Sequence, residues 1–162
     1  MKNKVIAGTL AVALVVLGGW VWHSVSEIKA RQAKLNFAQE GASAESFIRR
    51  SDGGGVTVDV VLLNAAGRAP EGEVAFEIAL NTHSVPLENY DVTKNAVIRT
   101  SDGGSSDKGF TWDSGSDASH HRSGVLRIKA DDLIGSGTKG ITLELRNLAG
   151  VAVREFKWDL PK

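Results

Sequence analysis

Two hydrophobic patterns divide this chain into a short N-terminal part and a longer C-terminal part. From Val5 to Trp22 the sequence carries no charged residue and is mostly apolar, which is the pattern of a helix that enters a membrane. From residue 56 onward apolar residues alternate with polar ones, which is typical of strands with one face in a core and the other in water. The sequence therefore predicts an N-terminal helix followed by an all-β domain.

Segments with the length and alternation of strands are separated by glycine-rich or polar turns in the C-terminal part. Their number and spacing predict a seven-stranded antiparallel sandwich of immunoglobulin-like type, with a small barrel as the alternative. The alternation of the last segment slips between Val153 and Phe156, which predicts a β-bulge. We expect Trp112 and Trp158 to fill the core or cap its ends. The segments are 56–62, 74–80, 96–100, 109–113, 126–130, 141–145 and 151–160.

The residues that flank the apolar run predict its orientation. Lys2 and Lys4 precede it, so the positive-inside rule keeps the N-terminus in the cytoplasm and places the rest of the chain across the membrane. A helix over this run spans about 27 Å, close to the hydrocarbon thickness of a bilayer. The small residues Ser24–Ser26 suit a signal peptidase, so a cleaved signal peptide is the alternative to an uncleaved anchor. Both interpretations place the domain outside the cytoplasm, in the periplasm or at the cell surface.

The boundaries of the predicted parts follow from composition. Residues 1–25 form the transmembrane anchor or signal peptide. Residues 26–45 are rich in Ala, Lys, Gln and Glu, which favour a helical stalk, and end in a flexible joint of small polar residues. Residues 46–162 form the immunoglobulin-like sandwich.

Charge and cysteine content exclude several classes of function. The chain has 19 basic and 19 acidic residues, so no net positive field favours nucleic acid, and we expect no nucleic-acid partner. It has no cysteine, which excludes a disulfide framework, a thiolate zinc site, an iron–sulfur cluster and a cysteine nucleophile. A length of 162 residues suits one domain with a substantial core.

Motifs of the common enzyme classes are missing from the sequence. There is no G-x-S-x-G, no H-E-x-x-H, no Walker A loop and no dinucleotide fingerprint. Aspartates 102, 107, 131 and 132 lie in glycine-rich loops, but their spacing is that of ordinary turns and matches no EF-hand. We therefore predict that the protein is not an enzyme.

The three histidines of the domain lie in two segments, NTHSVPLENYD (81–91) and DASHHRSGV (117–125). If successive strands alternate in direction, the loops 82–95 and 114–123 lie at the same end of the sandwich. Asp91, Asp113 and Asp117 would then lie there too. Imidazole together with carboxylate suits zinc or copper(II). The candidate metal ligands are His83, His120, His121 and Asp91.

A structural role for the same histidines is the alternative. Neighbours in a strand point to opposite faces, so one histidine of the pair would face the site, and His121, nearer the strand, is the better candidate. Without a metal, these imidazoles would hold the loops by hydrogen bonds, with help from Arg122 and Ser123.

The segments THSVPL (82–87) and HHRSGVL (120–126) resemble a family of small, exported, largely uncharacterised β-sandwich domains of prokaryotes, which carry T-H-S-V-x-L and H-H-x-S-G-x-L segments behind an N-terminal anchor. The resemblance covers roughly residues 56 to 158. It implies the fold and an exported location, but no activity. Pro86 stands where that pattern leads us to expect an acidic residue, and Asp91 could compensate as a carboxylate ligand.

Two functional hypotheses remain from the sequence. The first is a membrane-tethered module for protein interaction or structural presentation, with a protein partner in the same membrane or compartment. The second is a domain that binds or senses zinc or copper through the histidines, and metal is the only cofactor that the sequence suggests.

Overall fold

The computed structural model describes residues 47–131 and 133–160, which form an antiparallel β-sandwich. The predicted all-β class is therefore confirmed. In the described part of the chain no helix is long and apolar enough to cross a membrane, and the predicted anchor and stalk lie outside it. The elements are β1 Ile48–Gly53, β2 Val56–Leu62, β3 Glu73–Thr82, α1 Val92–Asn95, β4 Ala96–Thr100, β5 Ser105–Ser106, β6 Thr111–Asp117, β7 His121–Lys129, β8 Gly140–Leu148 and β9 Val151–Asp159.

Two sheets face each other across one hydrophobic core. The first has the strand order β1-β2-β3-β7-β6 and the second β5-β4-β8-β9, and all pairings are antiparallel. Alternate residues of the central strands point inward, as the period of two predicts. Burial of each large apolar side chain contributes about 1.5–3 kcal/mol to the free energy of folding. Fully buried examples are Val58, Val60, Phe76, Ile78 and Leu126 from the first sheet, and Ile98, Leu143 and Leu145 from the second.

Each predicted segment contains a strand, and the structure adds β1 and β5 to them. Strand β1 has no row of apolar residues, and it joins the sheet through main-chain pairing with β2, from Ile48–Val61 to Gly53–Val56. Strand β5 has only two residues. Neither strand could be recognised from hydrophobic alternation.

The predicted bulge in the last strand is wrong. Strand β9 pairs with β8 in one register, from Val153 opposite Arg146 to Asp159 opposite Gly140. Val153 is 45% exposed, while Arg154 faces inward and is buried. The alternation of β9 is thus regular, and the apparent slip arises because an arginine takes an inward position. A bulge occurs instead in β6, between Ser114 and Ser116.

The tryptophans contribute to the core to different degrees. Trp158 is buried beside Phe76, with ring centroids 5.5 Å apart, and its Nε1 donates to the carbonyl of Phe47 at 2.9 Å. Trp112 is half-buried and packs against the margin of the core. The expectation that they fill the core or cap it is therefore confirmed.

The two lateral sides of the sandwich differ. On one side, Arg49 of β1 donates to the carbonyl of Lys157 in β9 at 2.8 Å, and Arg154 of β9 donates to the carbonyl of Ser51 in β1 at 3.2 Å. These reciprocal bonds bridge the edges of the two sheets. On the other side the edge strands β5 and β6 leave a cleft of about 530 Å³.

The register also separates the two ends of the sandwich. Phe47 and the start of β1 lie at one end, and strand β1 leads about 20 Å to the other. There the β1–β2 turn meets the end of β3, since Val56 pairs with Thr82. We call this second end the loop pole; it consists of residues 53–55, 83–91, 118–120 and 149–150.

Candidate functional site at the loop pole

The two histidine-containing loops contact each other through their main chains. The amide of Thr82 donates to the carbonyl of His120 at 3.0 Å, and the amide of Leu87 donates to the carbonyl of Ser119 at 3.0 Å. Strand pairing continues directly into these bonds, since Asn81 lies opposite His121. The predicted meeting of loops 82–95 and 114–123 at one end is therefore confirmed.

Thr82 fixes the start of the first loop. Its side chain continues the inward row of β3 and is buried. The hydroxyl donates to the carbonyl of Gly55 at 2.8 Å and accepts from the amides of Ser84 at 3.2 Å and Val85 at 3.1 Å. One hydroxyl thus sets the turn after β3 and joins it to the β1–β2 turn.

Arg122 holds the rest of that loop. It occupies the inward side of β7, and only 12% of its side chain is exposed. Nη1 donates to the carbonyl of Leu87 at 3.2 Å and to that of Tyr90, and Nε donates to Asp117 at 3.1 Å. Hydrogen bonds from a charged donor are stronger than neutral ones, and this guanidinium donates three of them. Arg122 therefore ties the 83–91 segment to β7.

Trp112 and Gly124 pack beside this arginine. The Arg122 guanidinium lies 5.8 Å from the centroid of the Trp112 ring, a cation–π distance. A Cβ atom at Gly124 would lie 2.5 Å from Cζ2 of Trp112 and 2.5 Å from the carbonyl oxygen of Asp113. Any side chain at position 124 would displace the indole, so the glycine of the HHRSG segment is required by packing.

The histidines lie outside this packed arrangement. His83 and His120 are exposed in their loops. His121 is on the outer face of β7, where its Nδ1 lies 3.0 Å from Oδ1 of Asn81. The expectation that His121 faces inward is wrong, because the alternation set by Leu126 and Ile128 continues inward to Arg122.

The three aspartates that the sequence analysis places near the histidines are already engaged. Asp91 caps α1: its carboxylate accepts from the amide of Lys94 at 3.2 Å and from the Thr93 hydroxyl at 2.7 Å, and it pairs with Nζ of Lys94 at 2.8 Å. The hydrogen bond from the Lys94 side chain is the main cause that lowers the pKa of Asp91 well below its usual range. Asp113 pairs with Arg127, and Asp117 with Arg122. Within residues 47–131 and 133–160, no three His, Asp or Glu side chains are arranged to hold one metal ion.

Behind the loops lies a buried polar layer. The Tyr90 hydroxyl donates to the carbonyl of Arg146 at 3.0 Å, and burial raises the pKa of this phenol. Arg154 is 2% exposed and donates to the carbonyls of Gly53 at 2.6 Å and Val56 at 3.3 Å, while burial lowers its pKa. Among the described residues its Nε has no hydrogen-bond acceptor. Both side chains stabilise the junction between the sheets.

A groove of about 570 Å³ runs from the loop pole along the side of the sandwich. We call it the aromatic groove; Phe110 and the first residues of β6 form one wall, and the segment that leads into α1 forms the other. Half-buried Tyr90, Phe110 and Trp112 line its floor. Glu88 and Asn89 lie at its rim, exposed. Such a surface offers apolar contact and an accessible rim charge to a ligand.

Sequence reasoning assigned the site to the histidines, gave Arg122 only a helping role in holding the loops, and missed Thr82 and Tyr90. Extending the alternation of β3 and β7 by one step toward the loops would have placed Thr82 and Arg122 on the inward side. No comparable signal in the sequence points to Tyr90, whose carbonyl and hydroxyl have partners far away in the chain.

Comparisons with known proteins add no further constraint. No protein-family model, no curated protein and no solved structure matches this chain. The resemblance of its THSVPL and HHRSGVL segments to exported sandwich domains stays a prediction, and the loop pole and the aromatic groove are the features from which a function must be inferred.

Proposed function

We propose that this protein is a membrane-tethered, extracytoplasmic β-sandwich that binds a protein partner through its loop pole and aromatic groove, and that it is not an enzyme. The observation that carries the proposal is that the nearly buried guanidinium of Arg122 holds the 83–91 loop in one conformation by hydrogen bonds to its main chain. A loop that is ordered before binding loses little conformational entropy on association. The partner belongs to the same membrane or compartment.

The position at which the chain enters the sandwich supports the loop pole as the binding end. Residue 47 lies at the end of the sandwich opposite the loop pole. If the segment 1–25 anchors the protein, the loop pole is the end of the sandwich farther from the attachment point, where a partner in the same compartment can reach it.

We further infer that the sandwich is immunoglobulin-like. Without β1 and β5, four strands in the order β2-β3-β7-β6 face three in the order β4-β8-β9, which is the four-plus-three arrangement of constant-type domains. Domains of this type carry binding loops at the ends of the sandwich, and here the analogy concerns architecture only.

Photo-crosslinking in the native cell tests the interaction. A photoreactive phenylalanine analogue is placed in the full-length chain at His83 or Glu88, and for comparison at Glu77 on the outer face of β3. We expect one adduct of defined mass from the first two positions and none from Glu77. Equal adducts from all positions, or none from any, would contradict the proposal.

A second experiment tests the location of the domain. The chain has no cysteine of its own, so a single cysteine introduced at Ser136, in an exposed loop, is the one site for thiol labelling. It should react with a membrane-impermeant maleimide in intact cells or spheroplasts. Labelling that requires lysis would place the domain in the cytoplasm and overturn the proposed topology.

Binding of zinc or copper(II) by His83, His120 and His121 stays the alternative. The bond between Thr82 and His120 favours it, because it brings the histidine loops to one end. Asp91 would have to leave Lys94 and Thr93 before it could join them. The alternative therefore requires rearrangement of the first turn of α1.

A further inference from the structure

We infer that the aromatic groove receives an extended segment of the partner that lies along β6 and carries a lysine or arginine opposite Glu88; this inference rests on the proposed function and names the partner's chemistry. Three observations support it: the state of the strand edges, the lining of the groove and the charge at its rim.

Strand β6 is the long open edge of the described sandwich. Strands β1 and β9 are bridged by Arg49 and Arg154, and β5 has only two residues. Strand β6 has seven residues and pairs with β7 alone. The main chain of an edge strand can pair with an added extended segment. Its bulge at Ser114–Ser116 restricts such pairing to the part that borders the groove.

The groove provides apolar surface beside that edge. Phe110 and Trp112 flank the first residue of β6, and Tyr90 faces them from the loop held by Arg122. Alternate side chains of a segment paired with β6 would point into the gap between the sheets and so reach these rings. The aliphatic stem of a lysine or arginine packs well on aromatic rings while its charged end stays in water.

The rim selects the charge of the occupant. Glu88 is exposed and makes no hydrogen bond or ion pair with any described residue. The nearby carboxylates of Asp91, Asp113 and Asp117 are each paired with a cation, namely Lys94, Arg127 and Arg122. Glu88 is therefore the rim charge that is left to complement a basic segment.

The same charge disfavours a second copy of this chain as the occupant. Antiparallel pairing of two β6 strands along the part that borders the groove would bring no lysine or arginine toward Glu88, because Asp113 is the one charged residue of Thr111–Ser114. A basic segment of a different protein supplies that cation.

Fluorine NMR of the full-length chain labelled with 5-fluorotryptophan tests the inference. The probes are the blocked peptide Thr-Val-Lys-Val-Thr, the same peptide with Glu in place of Lys, and the Lys peptide with both valine amides N-methylated. We expect the Lys peptide, at up to about 1 mM, to shift the Trp112 resonance saturably and to leave that of Trp158 unchanged. The Glu peptide should cause no shift.

Variants and the methylated peptide test each part separately. Glu88→Gln should weaken binding of the Lys peptide about three-fold, while the matched control Glu71→Gln, exposed at the opposite end, should not. N-methylation, which blocks strand pairing, should weaken binding at least about five-fold. Equal binding of the Lys and Glu peptides, no effect of Glu88→Gln, or no effect of N-methylation would overturn the inference.

Other occupants of the groove would also be revealed. A Trp112 resonance that moves with protein concentration alone assigns the groove to a second copy. A Trp112 resonance that moves when residues 1–46 are removed assigns the groove to the chain's own N-terminal segment. Either result overturns the inference. If the Lys peptide causes no shift but crosslinks at His83 still give one adduct, this inference is overturned and the proposed function stands.

Discussion

Arg122 donates a hydrogen bond to the carbonyl of Tyr90, a residue 32 positions earlier in the chain, and thereby joins β7 to the loop that follows β3. The same guanidinium bonds to Leu87 and lies over Trp112. Loop conformation, groove shape and strand β7 therefore depend on one side chain, although the histidines beside it are the more conspicuous residues of the sequence.

Replacing Arg122 by lysine should destabilise the fold and loosen the loop pole. Lysine keeps the charge but cannot bond to Asp117 and to two loop carbonyls from one planar group. Because hydrogen bonds to charged groups contribute about 1.5–3 kcal/mol each, we expect the free energy of unfolding to fall by about 2–3 kcal/mol. Urea unfolding measures this. The control Arg68→Lys, whose partner Glu77 is on the surface, should leave the midpoint unchanged, and equal effects of the two would contradict the assignment.

Gly124→Ala should destabilise the protein through Trp112. The new methyl group would lie 2.5 Å from the indole and from the carbonyl oxygen of Asp113, and such overpacking costs about 1–3 kcal/mol. We expect a lower melting temperature together with a changed Trp112 resonance. Gly137→Ala is the matched control, since among the described residues its Cβ would meet only Asp102, at 3.9 Å. A melting temperature for Gly124→Ala that matches this control would contradict the packing argument.

Acid should destabilise the fold through Glu144. Burial by itself raises the pKa of this carboxyl, but the hydrogen bonds and charges of Arg99 and Arg146, at 2.5 and 2.6 Å, outweigh it, so the pKa lies below the ordinary 4.5. The folded protein therefore binds this proton less tightly than the unfolded chain does. The carboxylate stabilises the fold above the unfolded pKa, and this stabilisation is lost as the pH falls through the folded pKa.

We accordingly expect the free energy of unfolding to decline from about pH 5 downward, and Glu144→Gln to flatten that decline. Urea titrations at several pH values measure both slopes. Glu71→Gln, exposed in the loop between β2 and β3, is the comparison. An unchanged slope in Glu144→Gln would assign the acid sensitivity to other groups.

Replacing the histidines should matter less than replacing Arg122. His83 and His120 are exposed, and the His121 ring contacts the Asn81 side chain on the outer face of the sheet. We expect the melting temperatures of His83→Ala and His121→Ala to be close to that of the unsubstituted protein, with or without added zinc. Saturable stabilisation by zinc that disappears in the double variant would contradict this expectation and favour the metal-binding alternative.

Hydrophobic alternation predicted most of the strands because each central strand buries one face. It also predicted that the histidine loops meet, since strands connected by short turns alternate in direction. The interpretation was wrong where an inward position holds a polar side chain: the inward Arg154 was taken as a sign of a bulge, and His121 was preferred for the inward position that Arg122 occupies.

By itself, the sequence determined the all-β class, the inward and outward faces of the strands and the end at which the histidines lie, because these properties follow from local periodicity and turn spacing. Only the tertiary structure decided what the inward arginines bind. Their acceptors are main-chain carbonyls, which every residue carries and no sequence pattern marks. Strand β1 and the aromatic groove arise in the same way, from pairing and loop placement between segments that are far apart in the chain.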